Sequence, residues 1–141
     1  MLLKKGSEMG LRAQTAMIID DDGDLTYLLE NILKTRKMKV MSVHSLHEAE
    51  NCLAQSKPNV IFLDNGFPDG MGVNFISSIK STGNDIQIIM MTSDPSSWVR
   101  ERAMEEGAHY FLEKPFSKTT INDVLDQLKL KETGPGKRKG K

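Results

Sequence analysis

Short apolar runs alternate with segments of helical period along most of this chain, the pattern of repeated strand-helix units built around a parallel sheet. The run Ala16-Met17-Ile18-Ile19 predicts a first strand over residues 15–20. Leu25, Leu28, Leu29, Ile32 and Leu33 then follow at the spacing of one helix face. A second strand is expected over 38–43, and Ser45 reads as the N-cap of a helix through 55 with Leu46, Ala49 and Leu53 inward. Pro58 and Asn59 stop that helix. Val60-Ile61-Phe62-Leu63 predicts a third strand over 60–64, and Val73, Phe75, Ile76 and Ile79 a helix from 72 to about 81. Residues 86–92 form the most apolar run, as suits a strand near the sheet centre covered on both faces. Asp94 and Pro95 read as N-cap and first residue of a polar helix to about 106, ended by Gly107. A fifth strand over 108–112 precedes a helix capped by Ser117, with Ile121, Val124, Leu125 and Leu128 inward. The expected fold class is α/β, a doubly wound sheet of five parallel strands and five helices in one domain.

Length agrees with one domain, since 141 residues can bury one sizeable core but not two. Charge divides the chain more sharply than its net value of zero suggests. Residues 1–13 carry +2 and residues 129–141 carry +5, which leaves −7 on 14–128. An acidic body argues against a nucleic-acid-binding fold, although the basic tail allows weak contact with polyanions. The expected organisation is a flexible extension over 1–13, a domain over 14–130, and a flexible basic tail or linker over 131–141. No apolar run approaches the roughly 18 to 20 residues that span a bilayer. The opening Met1-Leu2-Leu3-Lys4-Lys5-Gly6 lacks the apolar segment of a signal peptide, so a cytoplasmic location is expected. Cys52 is the only cysteine, which excludes an internal disulfide or thiolate cluster and leaves it the role of a small packed hydrophobe.

Open sheets of this type bind ligands beyond the carboxyl ends of their strands. There the chain places Asp20, Asp21 and Asp22 after strand one, Asp64 at the end of strand three, Thr92 and Ser93 at the end of strand four, and Lys114 after strand five. Clustered carboxylates repel unless a divalent cation neutralises them. One such acid can act as a nucleophile toward phosphorus, with an ammonium and a hydroxyl stabilising the phosphoryl oxygens. Asp22 and Asp24 read instead as cap and first-turn acid of the first helix. His44, His47 and His109 stand at no metal spacing and read as surface or satisfied residues, the first two away from this rim. Trp98, on the polar helix, is either a packing residue or an interaction anchor.

These residues in this order carry a family likeness. Ile18-Ile19-Asp20-Asp21-Asp22, Asp64 with Pro68 and Gly72, Thr92-Ser93, and Lys114-Pro115-Phe116 resemble the four motifs of the receiver domains of two-component response regulators, and the chain is similar to the single-domain chemotaxis-type members. The resemblance covers roughly residues 14–130. It implies a flavodoxin-like sheet in the order 2-1-3-4-5. It further implies that Asp64 is the phosphoacceptor, charged by a phosphohistidine on a sensor histidine kinase or histidine phosphotransfer protein. Asp21, Asp64 and the backbone carbonyl of Gly66 would be direct ligands of magnesium, for which manganese can substitute, and Asp20 would act through bound water. Lys114 and Thr92 would contact the phosphoryl group, Thr92 and Phe111 would form the switch, and the Lys114-Pro115 peptide would be cis. The fourth helix, fifth strand and fifth helix would form the output face toward an unnamed downstream protein, or toward a second copy in a dimer. Such a chain is no enzyme in its own right, beyond catalysing its own phosphotransfer and dephosphorylation. It would be a complete regulator acting by protein contact or part of a longer one.

Two rival readings stay open on the sequence. Ile18-Ile19-Asp20-Asp21-Asp22-Gly23-Asp24-Leu25 also resembles the opening of haloacid-dehalogenase-type phosphatases, with Asp20 as nucleophile and Asp22 as acid-base, though Asp24 replaces a threonine and Asp64 gains no role. The other is a receiver-like binding module that works without phosphorylation.

Overall fold

The computed structural model of the protein describes residues 14–94 and 96–128. The extension and tail expected over 1–13 and 131–141, and Pro95 as first helical residue, lie outside the described residues. Among the described residues the strands of the main sheet are β1 (Thr15–Ile19), β2 (Lys39–Val43), β3 (Val60–Asp64), β4 (Gln87–Thr92) and β5 (Tyr110–Glu113), beside a short hairpin of Gly66–Phe67 and Gly70–Met71. Among the described residues five α-helices alternate with them: α1 (Gly23–Thr35), α2 (Leu46–Leu53), α3 (Ile76–Lys80), α4 (Ser97–Glu106) and α5 (Lys118–Gln127). All five strands pair in parallel in one sheet, ordered β2-β1-β3-β4-β5. This is the flavodoxin-like order, with the strand sequence reversing between β1 and β3.

Alternation along the buried strands feeds two cores. Met17, Ile19, Ile61, Leu63, Ile88 and Met90 face Ala49, Ile76, Ile79 and Ala103 on α2, α3 and α4. Ala16, Ile18, Val60, Phe62, Ile89 and Met91 face Leu29, Ile32, Leu33, Ile121, Val124 and Leu125 on α1 and α5. Every residue of β3 is buried, as expected of a strand with helices on both faces. The register then aligns the strand ends. Ile19 pairs with Leu63, so Asp20 comes level with Asp64; Asp64 pairs with Met91, and Thr92 with Glu113, one residue before Lys114.

Four local features depart from the sequence reading. In α1 the buried residues are Thr26, Leu29, Ile32 and Leu33, while Leu28 is 36% exposed. At about 100° per residue the buried arc centres between Leu29 and Leu33, which rotates Leu28 to its edge and brings Thr26 in. The third helix begins as a 3-10 turn, Gly72–Phe75, before α3. The fourth helix starts at Ser97 rather than after Asp94, with Ser96 as an N-cap that makes no side-chain cap. Asp94 is engaged in a turn instead, its Oδ1 accepting the Ser96 N–H at 3.0 Å. The fifth strand begins later than expected because Ala108 N–H donates to Ala103 O at 2.9 Å, closing the end of α4 around Gly107 at φ 113.

Candidate functional site

The site begins with Asp64, which the last position of β3 carries out of the core. A carboxylate only 8% exposed needs partners, and the neighbouring strand ends provide them. Lys114, just past β5, donates to Asp64 Oδ1 at 3.0 Å and to Asp20 Oδ2 at 2.9 Å. Asp20 is fully buried, and its Oδ1 accepts the Asp22 N–H at 2.8 Å. Asp21 is exposed, and carboxylate oxygens of Asp20, Asp21 and Asp64 lie within 4.8 Å of one another. Three carboxylates thus gather where the Lys114 ammonium pairs with two of them, Asp20 and Asp64, leaving an excess of negative charge made of hard oxygen donors. That donor set fits a small divalent cation such as magnesium.

The electrostatics follow from this crowding. Burial, then the charge of Asp20, push the Asp64 carboxyl above its ordinary value, against the opposing pull of Lys114 and the Asn65 backbone. Burial alone would lower Lys114, but its hydrogen bonds and charge pairing with Asp20 and Asp64 outweigh it and hold the ammonium above its ordinary range. Lys114 thus stays charged at neutral pH.

A cleft of about 470 Å³ opens over these groups, lined by Asp21, Asp64, Gly66, Thr92 and Lys114 among others. Gly66 is exposed, and a Cβ there would meet nothing within 4 Å, so the approach to Asp64 from that side is open. Thr92 is buried, its Oγ1 accepts the Asp94 N–H at 3.0 Å, and its carbonyl accepts the Lys114 N–H at 2.8 Å. The Lys114-Pro115 peptide is cis. Phe111 is half-buried on the α2–α4 side of the sheet, with the Arg100 guanidinium 4.9 Å from its ring centroid. Asp22 caps α1 by accepting from the Asp24 and Leu25 N–H groups, and Asp24 occupies the first turn, as expected.

Three residues near the site escaped the sequence reading. His44 is not remote from the rim: its Nδ1 lies 3.1 Å from the Asp20 carbonyl oxygen. Buried Asn65 shapes the loop after β3, its Oδ1 accepting the Val73 N–H at 3.0 Å and its carbonyl the Gly72 N–H at 2.7 Å. Asp69 accepts from the Leu46 and His47 N–H groups at the start of α2, at 3.4 and 3.1 Å. A turn with the sequence Pro68-Asp69-Gly70 signals a bend but not its distant partner.

Known proteins resemble this chain in sequence and in fold. Residues 16–126 match the sequence model of the response regulator receiver domain. The chain is 31% identical over 112 residues to the response regulator protein PilR of Pseudomonas aeruginosa, covering 79% of this chain and 25% of PilR. It is 33% identical over 101 residues to the transcriptional regulatory protein KdpE of Staphylococcus aureus, covering 72% of this chain and 43% of KdpE. It therefore spans between a quarter and about half the length of such relatives, PhoB of Escherichia coli included at 47%. Among solved structures, the beryllofluoride-activated NtrC4 receiver domain dimer matches with a TM-score of 0.75 and 34% identity, covering 79% of this chain and 93% of that one. A CheY-like receiver domain protein from Methanospirillum hungatei matches with a TM-score of 0.78 at 18% identity, covering 82% of this chain and 92% of that one, a likeness of fold. With its sheet order, its acidic rim and this match over most of its length, the chain belongs to the response regulator receiver domain family.

Proposed function

We propose that this receiver domain takes a phosphoryl group from a phosphohistidine onto Asp64, and that the aspartyl phosphate switches the surface formed by α4, β5 and α5. The observation that carries the reading is the grouping of the Asp64 carboxylate with the Lys114 ammonium at 3.0 Å and with two further carboxylates, beneath an open cleft. An ionised Asp64 oxygen attacks phosphorus, the P–N bond to the donor imidazole breaks, and the imidazole leaves with the bonding pair and takes up a proton. Lys114, freed from part of its pairing with Asp64, meets the phosphoryl oxygens as charge moves onto them. Thr92 turns its hydroxyl from the Asp94 N–H to the phosphoryl group, and Phe111 follows into the space vacated on the same side of the sheet.

Asp21, Asp64 and the Gly66 carbonyl would hold magnesium, or manganese in its place, with Asp20 acting through water. Bound there, the cation supplies neutralisation of the excess negative charge and of the phosphoryl oxygens. The partners implied are a sensor histidine kinase or histidine phosphotransfer protein upstream and a protein target downstream.

The phosphatase reading loses its footing in the same contacts. Asp20, its nucleophile, is fully buried with one oxygen held by Asp22 N–H and the other by Lys114, and Asp22, its acid-base, is the α1 cap. Incubation with magnesium and a small acyl phosphate separates the readings. The proposal expects one phosphoryl group per chain, lost in Asp64→Asn. Steady hydrolysis of phosphomonoesters abolished by Asp20→Asn would overturn it in favour of the phosphatase, and no labelling at all in favour of a binding module.

A further inference from the structure

We infer that Asp69, at the tip of the hairpin after β3, is a positioning residue for the metal-binding side of the cleft, acting by clamping that hairpin to α2. The inference rests on the proposed magnesium site. Residues Gly66–Phe67 and Gly70–Met71 pair as a short antiparallel ladder, and Gly66 and Met71 line the cleft beside Asp64. The base of this ladder is fixed from within, because Phe67 and Met71 pack on the core and Asn65 accepts the Gly72 and Val73 N–H groups. Its tip is exposed at Pro68, Asp69 and Gly70. There the two carboxylate oxygens of Asp69 divide between successive amides of α2, Oδ1 with Leu46 N–H at 3.4 Å and Oδ2 with His47 N–H at 3.1 Å.

The division of labour at this helix end is what marks Asp69. Ser45, the local N-cap, takes only the Glu48 N–H, at 3.1 Å, and the Glu48 carboxylate takes the His44 N–H at 2.7 Å. The two foremost amides of α2 are thus left to a residue more than twenty positions away, and a carboxylate at the positive end of the helix is favoured there. The same corner reaches the opposite wall of the site, where the His44 ring meets the Asp20 carbonyl. Through Asp69 and His44 the start of α2 joins the loop that carries Gly66 to the loop that carries Asp20 and Asp21. Residues that orient ligands without touching the ion commonly alter metal affinity by about ten- to a hundredfold when removed.

Ser45 supplies the control, because Ser45→Ala removes a cap from the same helix without touching the hairpin. Magnesium affinity is measured by titration calorimetry for wild type, Asp69→Ala, Asp69→Asn and Ser45→Ala, with thermal unfolding and amide hydrogen exchange of the metal-free proteins alongside. The inference expects Asp69→Ala to bind magnesium about tenfold more weakly and to exchange faster at residues 66–71. Ser45→Ala should lose a comparable amount of thermal stability at unchanged affinity, and Asp69→Asn, which keeps an acceptor oxygen, should recover much of the loss. Equal magnesium affinity in Asp69→Ala and wild type overturns the positioning role alone, as does an equal weakening in Ser45→Ala. A wild type that binds no magnesium overturns the metal site itself and the inference with it.

Discussion

Asp64 is held at a cost, and that cost is measurable. Its pKa is raised above the ordinary 3.8, chiefly by burial and then by Asp20, so the folded state binds this proton more tightly than the unfolded chain does. The stability it contributes is fully present below pH 3.8 and is lost as pH rises through the folded value, so at neutral pH the ionised carboxylate weakens the fold. Asp64→Asn should therefore be more stable than wild type at pH 7, by about 0.5 to 2 kcal/mol, the range typical of relieving such functional strain. Thermal unfolding at pH 7 and near pH 3 checks it: the gain shrinks in acid, and a variant less stable than wild type at pH 7 contradicts the account. Gly72 is constrained for a different reason. A Cβ there would run into the Asp64 carbonyl oxygen and crowd Asn65, all backbone that cannot step aside. Gly72→Ala should cost about 1 to 3 kcal/mol by overpacking and disturb Asp64 with it. Unfolding midpoints and labelling of the variant by acyl phosphate read both effects, and an unchanged protein would show that the loop relaxes freely.

Among the elements, the pairing of β4 with β5 contains a titratable contact. His109 N–H donates to the Ile88 carbonyl at 2.8 Å, while the His109 Nδ1 accepts the Ile88 N–H at 3.0 Å. The ring must be neutral at Nδ1 to accept. Burial and the charge of Lys80 lower its pKa from the ordinary 6.5, against a smaller opposing effect of Asp85. A depressed histidine contributes stability that is present above pH 6.5 and lost as pH falls through its folded value. Wild type should thus lose more thermal stability between pH 7.5 and pH 5 than His109→Gln does; parallel losses would contradict it. His109 shows what the sequence concealed. The sequence reads it as a surface or satisfied histidine, and the structure shows it satisfied by a backbone amide on another strand, which no local pattern reveals. The same holds for α4. Asp94 and Pro95 carry local helix-start chemistry, yet Asp94 is drawn into the turn that begins at Thr92 Oγ1, so the helix waits until Ser97. Strands and helices whose apolar positions face a core were legible from their period, because burial itself produces that period.

For the whole molecule, the parallel sheet explains why the site was legible before its geometry was. Short crossovers place every strand's carboxyl end on one rim, so Asp20, Asp21, Asp64, Thr92 and Lys114 converge although they lie far apart in the chain. Residues that act through backbone partners, Asp69, Asn65 and His44, were not legible, since their identity alone predicts turns and surface. No helix among the described residues is long and apolar enough to cross a membrane. The chain matches only part of the length of PilR and PhoB, and what it shares with the family is the receiver domain. If the proposed chemistry holds, the phosphoryl group resides on the Asp64 carboxylate alone. After incubation with magnesium and an acyl phosphate, borohydride reduces an aspartyl phosphate to homoserine, and peptide mass spectrometry locates the product. Homoserine is expected at position 64, with unmodified aspartate at positions 20 and 21; homoserine at position 20, or phosphate retained on a serine, threonine or histidine, would rule out Asp64 as the phosphoacceptor.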